Sequence, residues 1–151
     1  MKADRVGGHS FGEVSALHAA GVFDAESLVR IARRRGELMR DAAAVPGAMI
    51  AVTKTAAEVE AWLKSFGTTV VIANHNAPTQ VVLSGSVSEI EKVEKALEKD
   101  GIPSKRLPVA TAFHSSLVAP SSGPLREFLA GVEVNAPSFD VYGNADASLL
   151  P

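Results

Sequence analysis

Ser10 stands in Gly8-His9-Ser10-Phe11-Gly12-Glu13, a Gly-x-Ser-x-Gly element. Such an element suits a strand that turns sharply into a helix and leaves one hydroxyl at the apex. Small neighbours admit the strained backbone that this turn needs. The backbone amide of Phe11 then points to where an oxyanion would form, close to a helix N-terminus. Serine is a weak nucleophile at its free pKa, so the chemistry also needs a base.

Four histidines are candidates: His9, His18, His75 and His114. The sharp turn directs the side chains of His9 and Ser10 apart, His18 lies two turns along the helix, and His75 falls in a polar turn. His114 is the best candidate by elimination. Each of the four also has an ordinary reading as a packed or solvated residue. An acid to complete a triad is not evident. Asp140 and Asp146 follow His114, whereas α/β-hydrolases run serine, acid, histidine. Arg35 is the other chemical group. Arg33 and Arg34 read as a solvated helix face, but Arg35 shares the apolar face of Leu28, Leu38 and Met39. A guanidinium there calls for an anion, either Glu13 or Glu37 or a substrate carboxylate, whose two oxygens match its planar fork.

The elements that must hold these groups fit a chain of 151 residues that is 46% hydrophobic, enough for a real core and too apolar for disorder. A net charge of −2 excludes a general nucleic-acid binder, and the lack of cysteine excludes disulfides, thiolate metal sites and a cysteine nucleophile. No metal site is expected. No apolar run suits a membrane span and residues 1–9 do not read as a signal peptide, so the expected location is cytoplasmic.

A strand stub, Asp4 to Gly7, precedes the elbow. A helix follows from Val14 to Ala20, stopped by Gly21, then a second from Ala25 to Ala44, capped by Asp24 and ended by Pro46-Gly47. The middle changes character. It reads as a strand at Ala48–Val52, a helix opened by the capping box Thr55–Glu58 and running through Phe66, and a strand at Val70–Ala73. A turn at Asn74–Pro78 and a strand at Gln80–Ser84 come next. A second capping box, Ser86–Glu89, opens a helix that Gly101 ends, and a last strand spans Ser104–Ala110. This βαββαβ order is the ferredoxin-like arrangement. The tail adds a helix from Ser122 to Ala130 and a strand from Phe139 to Gly143. The expected class is α/β. A partial α/β-hydrolase-like parallel-sheet subdomain (1–46 and 111–151) would carry an inserted ferredoxin-like subdomain (47–110). So short a strand before the elbow, and so abrupt an end at Pro151, predict a piece of something larger.

Four segments carry a resemblance: Gly8–Glu13, Arg35-Gly36-Glu37-Leu38-Met39, Asn74-His75-Asn76-Ala77-Pro78-Thr79-Gln80-Val81-Val82-Leu83-Ser84-Gly85, and Ala112-Phe113-His114-Ser115-Ser116-Leu117. In this order and spacing they closely resemble the malonyl-CoA:acyl carrier protein transacylases, above all the acyltransferase domains of iterative polyketide and polyunsaturated fatty acid synthases. The resemblance implies that Ser10 carries the acyl group as an ester and that His114 is general base and then general acid. It implies that Arg35 binds the malonate carboxylate and that the Phe11 amide serves the oxyanion. His9, Phe113 and Asn76 become further substrate contacts, Phe113 favouring malonyl over methylmalonyl. The implied partners are malonyl-CoA, an acyl carrier protein and neighbouring synthase domains. No cofactor is implied, because the phosphopantetheine belongs to the carrier. Family members are longer chains, and their N-terminal Gly-Gln-Gly segment has no counterpart here. Two other functions fit parts of the sequence: a serine hydrolase or thioesterase, and an inactive carrier-binding fragment.

Overall fold

The computed structural model describes residues 3–42, 46–109 and 111–150. In chain order its elements are β1 (Arg5–Gly7), α1 (Phe11–Ala19), α2 (Ala25–Ala42), β2 (Gly47–Val52), α3 (Ala56–Phe66) and β3 (Val71–Ala77). There follow β4 (Gln80–Ser86), α4 (Val87–Lys99), β5 (Ser104–Arg106), a 3-10 turn (Ser116–Ser121), α5 (Ser122–Leu129) and β6 (Asp140–Tyr142). This is a mixed α/β fold with one parallel and one antiparallel sheet. The chain divides into two units, Met1–Leu38 with Pro124–Pro151, and Met39–Gly123.

In the first unit, β1 is short because the chain must turn at Gly8. A Cβ there would lie 2.0 Å from the Gly12 carbonyl oxygen, so only glycine fits. Helix α1 begins at once, at Phe11 rather than at the expected Val14. Gly12 N–H donates to His9 O at 2.8 Å and Glu13 N–H to Ser10 O at 3.2 Å, which winds the turn straight into the helix. Gly21 stops the helical run with φ 81°, in the left-handed region that glycine favours. Asp24 Oδ1 accepts the Ser27 N–H at 2.7 Å to start α2. That backbone bond is the main reason the Asp24 carboxyl sits below its ordinary range. The expected end of α2 at Ala44 lies outside the described residues. Strand β6 returns parallel to β1, with Val6 opposite Val141. Ser138 fastens the approach, its N–H and hydroxyl both donating to Ala20 O at 2.7 and 2.8 Å. Ala16, Ala20 and Val141 are buried behind this pair.

The second unit is an antiparallel sheet in the order β3-β4-β2-β5. Ile50, Val52, Val81 and Leu83 face Val59, Ile90, Val93 and Leu97 of α3 and α4, and all are buried. Burying each such side chain contributes about 1.5–3 kcal/mol before entropy is set against it. The capping box at Thr55 forms in full: its hydroxyl accepts the Glu58 N–H, and the Glu58 carboxylate accepts the Thr55 N–H at 3.0 Å. The box at Ser86 forms by half. Its hydroxyl caps Glu89 N–H, but the Glu89 carboxylate is drawn away to Lys92 Nζ at 2.6 Å and Thr68 Oγ1 at 2.8 Å.

Two expected boundaries are corrected. Asn74–Ala77 is strand rather than turn, because β3 continues against β4 through two register shifts and only Pro78-Thr79 remain as the turn. Strand β5 ends at Arg106 rather than Ala110, which itself lies outside the described residues. Leu107 N–H still reaches Met49 O at 2.9 Å, and Pro108 then has no N–H to continue.

Candidate active site

Ser10 has φ 55° and ψ −112°, a conformation that non-glycine residues avoid. Holding it costs on the order of 1–3 kcal/mol, which the surroundings must offset. The strain lies where the sequence places the nucleophile, at the cap of α1. Gly8 supplies the close approach. Gly12 does not require its glycine for space, since a Cβ there meets nothing within 4 Å. The first two amides after Phe11 are committed to His9 O and Ser10 O. The Phe11 N–H opens α1 and has no such backbone acceptor among the described residues.

Arg35 joins this site from α2, half a helix beyond its start. Its Nη2 donates to Ser10 Oγ at 3.1 Å, and its guanidinium carbon lies 5.7 Å from the centre of the Phe11 ring. Ser10, Phe11 and Arg35 are therefore brought together within one unit. Neither acid suggested for Arg35 pairs with it. Glu37 turns to Arg33 at 2.9 Å, a bond that holds its carboxyl below the ordinary range. Glu13 Oε1 accepts the backbone N–H of Asn144 at 2.8 Å. Among the described residues Arg35 has no carboxylate partner.

The other histidines separate by surroundings. The ring of His18 hydrogen-bonds through Nδ1 to Phe23 O at 2.9 Å, a structural task at the end of α1. His9 is exposed beside the serine, and His75 is exposed on β3. Of the two aspartates that follow His114, Asp140 pairs with Arg5 at 3.5 Å and Asp146 accepts from the Ser148 hydroxyl at 2.7 Å.

His114, Phe113 and Asn76 belong to the second unit. His114 is exposed, with φ 56°, in a tight loop. Phe113 N–H donates to Thr111 O at 3.0 Å and Ser115 Oγ to Ala112 O at 2.7 Å. The loop runs hard against the start of β2, where a Cβ on Gly47 would lie 2.2 Å from Ala112 N. Phe113 is half-buried. Asn76 is exposed near the end of β3, an address given by the strand extension rather than by a turn. Among the described residues no three His, Asp or Glu side chains gather as a metal site. No helix there is long and apolar enough to cross a membrane.

One residue beside the serine turn was not foreseen. Asn144, just past β6, donates its backbone N–H to Glu13 and its side-chain amide to the Gly8 carbonyl. No sequence signal marks it, because its partners Glu13 and Gly8 lie 131 and 136 positions away.

Residues 1–146 match the acyl transferase domain family. The chain is 40% identical over 151 residues to the polyketide biosynthesis malonyl CoA-acyl carrier protein transacylase BaeC of Bacillus velezensis, covering 97% of this chain and 52% of that protein. It is 38% identical over 149 residues to the malonyl CoA-acyl carrier protein transacylase of Synechocystis, covering 98% and 49%. The fold superposes on the malonyl CoA-acyl carrier protein transacylase of Burkholderia pseudomallei with a TM-score of 0.92 and 34% identity, over 100% of this chain and 52% of that one. The acyltransferase domain of an iterative polyketide synthase in enediyne biosynthesis gives 0.91 and 31%, over 99% and 40%. The chain thus spans about half the length of these two transacylase relatives. With the elbow serine and its arginine in one unit and the match running through both, this chain belongs to the acyl transferase domain family.

Proposed function

We propose that this chain carries the reacting centre of a transacylase that moves a malonyl group from CoA to the phosphopantetheine thiol of an acyl carrier protein. The observation that carries this reading is the 3.1 Å contact between Arg35 Nη2 and Ser10 Oγ. A malonyl ester on Ser10 places its free carboxylate two carbons from the ester bond, within reach of a guanidinium already beside the oxygen. An acetyl ester offers that cation nothing, and a charged group left unmatched penalises the wrong acyl chain. Similarity to two malonyl CoA-acyl carrier protein transacylases supports the same substrate and carrier.

The reaction proceeds in two half-steps. Ser10 Oγ attacks the thioester carbonyl as its proton passes to the His114 imidazole. The Phe11 N–H donates to the oxyanion, the C–S bond breaks, and the CoA thiolate takes the proton from His114. The carrier thiol then gives its proton to His114 and attacks the serine ester, and Ser10 Oγ is reprotonated as it leaves. Phe113 crowds a substituent at C2 of the acyl group, worth about 1–3 kcal/mol against one methyl. His9 and Asn76 contact the substrate. No cofactor of its own is used, since the phosphopantetheine belongs to the carrier. Neighbouring synthase domains are the expected setting.

In this reading residues 47–110 form a ferredoxin-like subdomain, supported by the βαββαβ order and the strand order β3-β4-β2-β5. Residues 1–46 and 111–151 then contribute to an α/β-hydrolase-like subdomain, supported by the parallel β1–β6 pair beside the elbow.

Intact-mass measurement after incubation with malonyl-CoA tests the proposal. The chain should gain one malonyl group, Ser10→Ala should gain none, and Arg35→Ala should lose the preference for malonyl-CoA over acetyl-CoA. An adduct that survives in Ser10→Ala, or a preference untouched by Arg35→Ala, overturns it.

A further inference from the structure

Glu13 closes the elbow motif, yet it does not meet Arg35. Its Oε1 accepts the backbone N–H of Asn144 at 2.8 Å, a contact spanning 131 positions of sequence. The Asn144 side-chain amide donates to the carbonyl of Gly8. One residue therefore grips the chain two positions before Ser10 and three positions after it.

The register explains how Asn144 reaches both. Strands β1 and β6 run parallel, and their last pair is Gly7 with Tyr142. Beyond it the chain leaves the sheet at Gly8 for the turn, so the backbone ladder cannot continue. The Asn144 amide takes the place of the next rung. Asn144 is itself held by a folded-back segment. Gly143 N–H donates to Ser148 O at 2.9 Å, and Leu150 N–H to Val141 O at 2.8 Å.

We propose that Asn144 and Glu13 are positioning residues that clamp the serine turn in its strained conformation. The proposal rests on Ser10 being the nucleophile. The turn stores strain at Ser10 and is squeezed between Gly8 and Gly12, so it relaxes unless both of its ends are tied. A carboxylate accepting an N–H and an amide donating to a carbonyl tie them to β6. Neither residue touches the acyl group. Their effect is to keep Ser10 Oγ and the Phe11 N–H in a fixed relation, which electrostatic stabilisation of an oxyanion requires.

Amide hydrogen exchange read residue by residue, together with the acylation rate from malonyl-CoA, tests this in Glu13→Ala, Glu13→Gln and Asn144→Ala. The Asn144 amide should exchange about tenfold faster in Glu13→Ala and remain protected in Glu13→Gln, whose amide oxygen still accepts. Amides of residues 12–14 should exchange faster in Asn144→Ala, while those of β2 and β4 do not change. The maximal acylation rate should fall about tenfold in both alanine variants, with the half-saturating malonyl-CoA concentration unchanged because Arg35 is intact. Unchanged exchange at residues 12–14 overturns the clamp. So does faster exchange across all elements with a lowered unfolding midpoint, or a wild-type acylation rate in a variant whose turn exchanges faster. A wild-type chain that takes no adduct sinks the malonyl reading instead, and the exchange comparison then decides the clamp alone.

Discussion

Around its antiparallel sheet the second unit buries Ile50, Val52, Leu83, Ile90, Val93 and Leu97 almost completely, while the first sets a two-stranded parallel pair on the small cluster of Ala16, Ala20 and Val141, with Phe23, Ile31 and Leu38 buried outside that cluster. Ser10 and Arg35, the proposed reacting pair, belong to the thinner unit. There, single polar contacts do what bulk packing does in the other: Ser138 on Ala20, Asn144 on Gly8, Arg35 on Ser10. Such contacts are directional, so they can hold one strained residue in one geometry. They also contribute less each than a packed side chain, about 1 kcal/mol net.

The comparison predicts unequal responses to core truncation. Leu83→Ala should cost about 2–5 kcal/mol, because the sheet and two helices cannot close around the void. Val141→Ala should cost roughly 1–2 kcal/mol, since fewer neighbours surround it. Urea unfolding of the two variants measures both, and equal losses would erase the distinction between the units.

Within the serine turn, two glycines of one motif should part company. Gly8→Ala forces a Cβ onto the Gly12 carbonyl and should cost about 1–3 kcal/mol, with loss of the malonyl adduct. Gly12→Ala lies in a helix with open space, and should keep the adduct while gaining roughly 0.5–1 kcal/mol. Thermal midpoints and intact mass on the pair provide the check. A tolerated Gly8→Ala would mean that the close approach does not set the turn.

The smallest effect concerns pH and the second unit alone. Chiefly through the Thr55 hydroxyl, the Glu58 carboxyl is lowered from 4.5 to about 2. A carboxyl depressed on folding stabilises the folded state fully above its unfolded value and loses that contribution as pH falls toward the folded one. The gap in thermal midpoint between the native chain and Glu58→Gln should therefore hold above pH 4.5 and shrink toward pH 2. A gap that stays constant across this window would show that the carboxylate's charge is not what caps α3.

What could be read from the chain beforehand was what is encoded locally. Thr55 and Glu58 are three residues apart, and their box forms as their types dictate. Gly8, Ser10 and Gly12 fall two residues apart, so the strained turn is also written in local spacing. The misread places depend on partners distant in sequence. Asn74–Ala77 look like a turn by composition, but pairing with β4 draws them into a strand. Ser86 and Glu89 have capping-box spacing, but Thr68 competes for the carboxylate from another loop. Arg35 could be singled out by its place on an apolar face, whereas its bond to Ser10, 25 positions away, could not. The role of Asn144 was hidden for the same reason.

Strand β3 lies at one edge of its sheet and is seven residues long, the kind of exposed row that invites another chain to pair. Its two register shifts, between Ile72 and Asn74 and between His75 and Ala77, put successive donors and acceptors out of step. At the opposite edge β5 offers only Ser104, Lys105 and Arg106, two of them cationic. A foreign strand would find neither a straight template nor a neutral one. The irregularity of the hairpin thus makes this edge a poor template for a further strand, in the same stretch that presents Asn76 to solvent.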